Sequence, residues 1–266
     1  VHRTAIPSGP QVFTELIPAV RSVSVGVWVP IGSRHETPAT AGATHFLEHL
    51  LFKGTPRRSA LDIAADIEGL GGEINAFTTK EYTCYHVRLL DEHLDVAIDV
   101  LADMLGSSLL RTSDIEAERG VVLEEIAMSE DDPIDLGRTE LERELFGTHP
   151  LAGPVAGTAH SVSTMRTSAL RGHYRRYYTP DNYVITVVGN ASHRKVVSSV
   201  TRAFGLAESP VRAPKVSKPP QAPRTRNARV GKAFEQVNLL RAHGGPARGD
   251  DRRYAMAVLH TILGGG

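Results

Sequence analysis

Polar and apolar residues alternate in several short stretches of this chain. Valine occupies every second position from 23 to 29, within a stretch that extends from residue 21 to residue 31. This period of two predicts a strand with one buried face. Alternating stretches over residues 73–78 and 82–90 are joined by a short polar turn, which predicts a hairpin. An apolar run over residues 183–188 predicts one more strand, ended by a Gly-Asn pair.

Other stretches repeat their apolar residues with the helical period of about 3.6. Ser113 and Glu116 have the spacing of a capping box, which predicts that a long helix starts there. Gly54 is suited to the C-terminal cap of an earlier helix. Strands and helices that mix without strict alternation favour an α+β fold, with helices packed on a mainly antiparallel sheet. The predicted helices span residues 41–53, 60–70, 93–105, 113–130, 133–145, 164–177 and 193–204.

The pattern changes after residue 207. Residues 208–232 are rich in Pro, Arg and Lys and contain almost no large apolar side chain, which is typical of a linker. Beyond them, residues 234–240 predict a strand and residues 250–263 predict a helix. We therefore expect a first domain over residues 1–207, then the linker, and then the beginning of a second, truncated domain over residues 233–266.

Composition narrows the classes of function. The chain has 266 residues, of which 41% are hydrophobic, enough for a sizeable core. Its 30 basic and 30 acidic residues give a formal net charge of zero, which supports neither nucleic-acid nor membrane-surface binding. The lone Cys84 excludes an internal disulfide, and no apolar run approaches the roughly 20 residues that span a bilayer. Because residues 1–7 lack a signal-peptide core, we expect a cytoplasmic protein.

Residues 45–49, His-Phe-Leu-Glu-His, place two imidazoles and a carboxylate on one side of a helical turn. Residues three and four apart are neighbours on a helix, so His45 and His49 can bind one metal ion with Glu48 beside it. A catalytic zinc site needs three protein ligands and an open position for water, from which Glu48 can take a proton. A solvated helix face is the usual alternative, but the flanking residues are largely apolar and buried polar groups need partners. The motif therefore predicts a zinc peptidase of the His-x-x-Glu-His type.

A third zinc ligand is expected from another element, and the helix predicted over residues 113–130 carries five glutamates. Positions seven apart fall on nearly the same face of a helix. Glu118 and Glu125 therefore point together, while Glu124 points away. Spacing selects this pair and does not choose between its members. For any one of these glutamates taken alone, the alternative is an acidic, solvated helix surface.

Several motifs together resemble the inverzincin metallopeptidases, the family of pitrilysin, insulin-degrading enzyme and the mitochondrial processing peptidase. The chain is most similar to the bacterial members that resemble the processing-peptidase subunits. The resemblance implies a processing-peptidase-like half followed by the start of a second, similar domain. Its motifs run in the family's order along nearly the whole chain: residues 32–34 (Gly-Ser-Arg), 45–49, 52–55 (Phe-Lys-Gly-Thr), 71–78 (Gly-Gly-Glu-Ile-Asn-Ala-Phe-Thr), 118–126 (Glu-Arg-Gly-Val-Val-Leu-Glu-Glu-Ile), 178–182 (Tyr-Thr-Pro-Asp-Asn) and 263–266 (Leu-Gly-Gly-Gly).

The resemblance implies a role for each matching residue of the motif helices. His45, His49 and Glu125 would bind zinc. Glu48 would be the general base that activates the zinc-bound water, and Glu118 would be a second carboxylate that supports the site. The implied activity is that of a zinc-dependent endopeptidase, which hydrolyses peptide bonds of short or unfolded polypeptides.

The resemblance also implies where a substrate binds. Asn75, Ala76 and Phe77 lie where family members present an edge strand to the peptide, and an ordinary strand end is the alternative for them. Family members also use an Arg and a Tyr from a segment that would follow residue 266, and two such chains enclose a chamber. We therefore expect a homodimer or a partner subunit. The alternative functions are a non-catalytic partner subunit, against which the intact motif argues, and a metal-dependent hydrolase of another substrate.

Overall fold

The computed structural model describes residues 1–206 and 226–265, and its centre is one mixed sheet. The strands follow the order β1-β2-β6-β3-β5-β4 across the sheet. Neighbouring strands are antiparallel except β2 and β6, which are parallel, so the predicted α+β fold with a mainly antiparallel sheet is confirmed. The strands are His2–Ala5 (β1), Gln11–Leu16 (β2), Ser22–Val29 (β3), Glu73–Thr78 (β4), Thr83–Leu90 (β5) and Val184–Gly189 (β6).

Helices cover the face of the sheet on which the alternating valines lie. Val25 and Val27 on β3 are at most 1% exposed, and they share one buried cluster with Phe46 and Leu47. Burying a side chain of this size contributes roughly 1.5–3 kcal/mol, so this shared cluster stabilises the packing of the helices on the sheet. The helices are Ala43–Leu51 (α1), Ala60–Glu68 (α2), Leu94–Ser107 (α3), Thr112–Asp131 (α4), Pro133–Phe146 (α5), Ala159–Thr164 (α6), Thr167–Tyr177 (α7), His193–Phe204 (α8) and Arg252–His260 (α9).

The strands β1 and β2 are absent from the sequence-based prediction. Val12 and Thr14 both point to the buried face of β2, where they are 0% and 2% exposed. A polar residue at a buried position weakens the apolar alternation that would have marked the strand. The Thr14 hydroxyl is nonetheless satisfied there, since it lies 2.8 Å from Nδ1 of His193.

Three predicted helix boundaries are wrong. α4 begins one residue before Ser113 and has no side-chain cap, and Glu116 instead pairs with Arg119 within the helix at 3.1 Å. The helix predicted over residues 164–177 begins three residues later, as α7 at Thr167, because the backbone at Met165 and Arg166 is extended; Thr164 ends the separate helix α6. Gly54 does not cap α1, whose cap is Phe52, although its φ of +117° is one that favours glycine.

The strand predicted over residues 234–240 is also wrong. No strand forms there, and Val237 and Leu239 are 99% and 94% exposed. The apolar spacing is that of a strand, but a strand needs a neighbour for its backbone groups. Within the part of the chain that the structure describes, no other segment pairs with these residues. The helix predicted over residues 250–263 is present in shorter form as α9.

The six strands all lie within residues 1–206, and β6 closes the sheet between β2 and β3. Most of the predicted linker, residues 208–225, lies outside the described residues. The division into residues 1–207, 208–232 and 233–266 therefore stays a prediction. In residues 1–206 and 226–265, no helix combines the length and the apolar character needed to cross a bilayer.

Candidate metal centre

The N-terminal end of α1 is fixed by a buried carboxylate and by a close crossing of two chain segments. Glu36 accepts hydrogen bonds from the backbone N–H groups of Gly42 and Thr44, both at 2.7 Å. These are donors that a helix start leaves without intrahelical partners. Gly42 has a φ of +92°, and a Cβ there would lie 2.4 Å from the carbonyl oxygen of Ala156. Gly157 meets the same restriction from the other segment, so α1 can start only where these two glycines cross.

Three donor atoms converge between α1 and α4. The Oε2 atom of Glu125 lies 3.7 Å from Nε2 of His45 and 3.5 Å from Nε2 of His49. Both distances exceed the usual hydrogen-bond range of roughly 2.7–3.2 Å, so the three atoms surround a space that hydrogen bonds do not close. All three side chains are half-buried, and their ligand atoms lie within 4.8 Å of one another. Among residues 1–206 and 226–265, this is the one cluster of three or more such side chains with a metal-binding geometry.

The surroundings of His45 favour the neutral imidazole that metals bind. Burial, with a contribution from the neighbouring His49, lowers the pKa of His45 to about 4. Its Nδ1 is buried without a hydrogen-bond partner, while its Nε2 faces Glu125. Two imidazoles and one carboxylate are a donor set of catalytic zinc sites, in which a fourth position stays open. The residues at this site therefore fit zinc.

The two glutamates that sequence spacing could not separate lie on different sides of His49. Glu125 faces its Nε2, whereas Oε1 of Glu118 lies 3.1 Å from its Nδ1. The Glu118 side chain is only 8% exposed, and its Oε2 lies 2.5 Å from Nζ of Lys53. Glu124 is exposed and takes no part. This arrangement agrees with a ligand role for Glu125 and a supporting role for Glu118, and both roles stay predictions.

Glu48 lies between α1 and the edge strand β4. Its Oε2 accepts a hydrogen bond of 2.5 Å from the hydroxyl of Thr78, the last residue of β4. Burial raises the pKa of Glu48, and this hydrogen bond acts in the opposite direction by stabilising the carboxylate. The carboxylate is held by a neutral donor, and no lysine or arginine of residues 1–206 and 226–265 forms a salt bridge with it. Such a group can accept and return a proton.

The predicted substrate residues Asn75, Ala76 and Phe77 lie on β4, the outermost strand at this end of the sheet. The backbone N–H of Ala76 donates to Oδ1 of the Asn75 side chain at 2.8 Å. Ala76 and Thr78 face α1, so the alternation of the strand turns Phe77 to the other face. There its ring is 6.1 Å from that of Trp28 and 39% of the residue is exposed. The roles of the three residues in substrate binding stay predictions.

Three residues of this site were missed as functional candidates. Lys53 follows His49 by four residues, a spacing that places it over the same side of the helix and was a usable signal. Thr78 belongs to a strand whose alternation indicates which residues share a face, but not that one of them meets Glu48. Glu36 lies six residues before Gly42 in an irregular segment, and no periodic pattern connects the two.

The fold and this donor set define a class: an α+β protein in which a helix-borne His-x-x-Glu-His motif faces a carboxylate from a second helix. Residues 11–159 match the model of the insulinase family, peptidase family M16. The chain belongs to this family, and the predicted resemblance is confirmed. Residues 165–266 match a second model, described as the peptidase M16 inactive domain.

Relatives of known name agree with this assignment. A protein of Streptomyces coelicolor described as an uncharacterized zinc protease is 47% identical over 272 residues, which is all of this chain and 59% of the relative. YmxG of Bacillus subtilis, described in the same way, is 41% identical over all of this chain and 64% of its own length. The chain thus spans about three fifths of the length of the curated relatives it matches.

Solved structures show the same fold. A protease from Helicobacter pylori superposes with a TM-score of 0.77 and 26% identity, over 82% of this chain and 54% of that one. Pitrilysin superposes with a TM-score of 0.70 and 21% identity, over 80% of this chain and 23% of that one. The second likeness concerns the fold alone.

Proposed function

We propose that this chain is the zinc-binding and catalytic part of a zinc-dependent endopeptidase that cleaves short or unfolded polypeptides. The observation that carries the proposal is the convergence of His45, His49 and Glu125, with the Glu48 carboxylate one residue from a ligand. His45 and His49 would hold zinc through Nε2 and Glu125 through its carboxylate. The names of the relatives, which are zinc proteases, support this choice of metal.

Zinc, when bound, supplies a lowered pKa for a coordinated water and polarisation of the scissile carbonyl. The chemistry of the chain itself is proton transfer by Glu48. Its carboxylate accepts the proton of the attacking water and later delivers it to the leaving amine, so one group serves both halves of the hydrolysis. The Thr78 hydroxyl holds Oε2, which leaves Oε1 as the free proton acceptor. Glu118 orients His49 by accepting a hydrogen bond from Nδ1.

The substrate is proposed to bind along β4. An outer strand offers unpaired backbone N–H and C=O groups, to which an extended peptide adds as a further strand. Such binding depends on hydrogen bonds to the peptide backbone, so the bound segment must be extended, as a short or unfolded polypeptide can be. Because Thr78 at the end of β4 contacts Glu48, a peptide on this edge would pass directly beside the proposed base.

A second chain, or the rest of a longer polypeptide, is proposed to complete the site. This chain covers about three fifths of its relatives, so further groups that hold the substrate carbonyl would come from outside it. We propose a homodimer or a partner subunit that encloses the peptide. The match of residues 165–266 to a model described as inactive supports one alternative, a non-catalytic partner subunit. None of His45, Glu48 and Glu125 lies in that match.

The test is hydrolysis of an internally quenched, unstructured peptide by zinc-loaded protein and by its Glu48→Gln variant. Glutamine keeps the shape of glutamate but accepts no proton at neutral pH, so we expect at least a 100-fold loss of turnover with unchanged zinc stoichiometry. Glu124→Gln, on the exposed side of α4, is the matched control and should retain the parent rate. Equal rates for parent and Glu48→Gln would refute the base assignment. Zinc binding without cleavage by the parent would mean that the groups from a second chain or from the rest of a longer polypeptide are required, or that this is a non-catalytic subunit.

A further inference from the structure

One carboxylate of the site bridges two residues of the same helix end. The Oε1 atom of Glu118 lies 3.1 Å from Nδ1 of His49, and its Oε2 lies 2.5 Å from Nζ of Lys53. Lys53 stands four residues after His49, in the turn that ends α1. Each oxygen of Glu118 thus has its own partner, and both partners come from the α1 end.

This arrangement is costly unless both partners are present. The Glu118 side chain is 8% exposed, while that of Lys53 is 39% exposed. A carboxylate removed from water without a countercharge loses much of its solvation free energy. The ammonium group of Lys53 therefore stabilises the Glu118 carboxylate in its observed position. With Lys53 on Oε2, the remaining oxygen is directed at the His49 ring. A carboxylate that accepts from Nδ1–H fixes the tautomer whose Nε2 lone pair is free for a metal.

We propose that Lys53 is a positioning residue of the candidate zinc site. It holds Glu118, and through Glu118 it holds the His49 imidazole with Nε2 directed at His45 and Glu125. The proposal rests on the zinc site of the proposed function and adds a residue to it. Lys53 itself touches neither the metal donors of His45 and Glu125 nor Glu48 in the described contacts.

Zinc affinity tests this role without reference to catalysis. Dissociation constants are measured by competition with a chromophoric chelator for the parent chain, Lys53→Met and Lys53→Arg. We expect Lys53→Met to weaken zinc binding about 10-fold, in line with the loss of an outer partner of a metal ligand. Lys53→Arg keeps the charge and should stay within about 3-fold of the parent. Lys195→Met is the matched control, since this partly exposed lysine has its own carboxylate partner, Asp95 at 3.9 Å, on another helix.

A double-mutant cycle separates positioning from general stabilisation. If Lys53 acts through Glu118, then Lys53→Met should change the zinc affinity of a Glu118→Gln protein by no more than about 2-fold. Thermal unfolding of the metal-free variants verifies that each is folded. A parent that binds zinc while Lys53→Met binds equally well would overturn the role of Lys53 and leave the zinc site standing. A folded parent without zinc affinity would overturn both proposals.

Discussion

Two groups of polar side chains on α1 find their partners in different ways. At the N-terminal end, Glu36 accepts from the backbone N–H groups of Gly42 and Thr44, and the Thr44 hydroxyl lies 3.3 Å from Nε2 of the buried His173. Each polar group there has a partner within the protein. His45, the next residue, and His49, one turn later, instead direct their Nε2 atoms at a carboxylate that is too far away for good hydrogen bonds.

The difference indicates which group of side chains stabilises the fold and which can bind a ligand. Buried polar groups that hydrogen-bond to one another need no further partner. We call the group formed by Glu36, Thr44 and His173 the anchor, because it holds the start of α1 in place. Nitrogen and oxygen donors that converge at distances too long for good hydrogen bonds surround a space that a cation can fill, so they mark a site for a ligand. Anchor and site lie within a few residues on one helix. Changes at the first should therefore affect stability, and changes at the second should affect zinc binding.

The largest effect on zinc affinity is expected at the cluster of His45, His49 and Glu125. Glu125→Gln removes the negative charge from the proposed third ligand, and we expect zinc affinity to fall at least 100-fold, about 2.7 kcal/mol. Glu124→Gln changes the same chemical group on the adjacent, exposed position and should shift affinity by less than 2-fold. Chelator competition measures both. If the two variants bound zinc alike, Glu125 would not be a ligand.

The anchor predicts the opposite outcome. Glu36→Ala leaves the N–H groups of Gly42 and Thr44 without their acceptor, which should lower the free energy of unfolding by about 2 kcal/mol. For a domain of this size, that corresponds to a fall in Tm of roughly 4–8 °C. Glu68→Ala, at an exposed helix end, is the control and should leave Tm nearly unchanged. The folded Glu36→Ala protein should still bind one zinc. Loss of zinc binding without loss of stability would contradict the assignment of Glu36 to fold stability and of the cluster to zinc binding.

The sequence predicts the sheet well where burial and hydrogen bonding agree. Valines at every second position of β3 face the core, so their period of two is visible in the residues themselves. Prediction from the sequence fails where a distant segment of the chain determines whether a strand forms. Val237 and Leu239 have a strand's spacing but no neighbouring strand among residues 1–206 and 226–265, and Thr14 has a neighbour but breaks the apolar pattern. Pairing across long distances in the chain leaves no local signal.

The candidate site divides in the same way. His45, Glu48 and His49 come from one helical turn, where spacing alone dictates that they are neighbours. Glu118 and Glu125 share a face of α4, but spacing cannot indicate which nitrogen of His49 each one meets. That choice follows from how α4 lies against α1, which is a property of the packed core.

The smallest effect is a pH dependence at the anchor, where two buried groups act in opposite directions. Burial, aided by the charges of Arg176 and His35, lowers the pKa of His173 to about 4, whereas burial raises the pKa of Glu36 to about 7. Between pH 7 and pH 5.5, an unfolded histidine binds more protons than His173 does, so its contribution to stability falls as the pH falls. Over the same range the folded protein binds the extra proton at Glu36, so the contribution of Glu36 rises.

Each contribution should amount to about 1 kcal/mol across this window, and the two nearly cancel in the parent. His173→Gln should therefore gain about 1 kcal/mol relative to the parent between pH 7 and pH 5.5, and Glu36→Gln should lose a similar amount. Denaturant unfolding of metal-free protein at the two pH values measures these differences, and comparison with the parent removes the contribution of His45, which all three proteins share. Slopes of the same sign in both variants would mean that the groups of the anchor do not titrate as their burial requires.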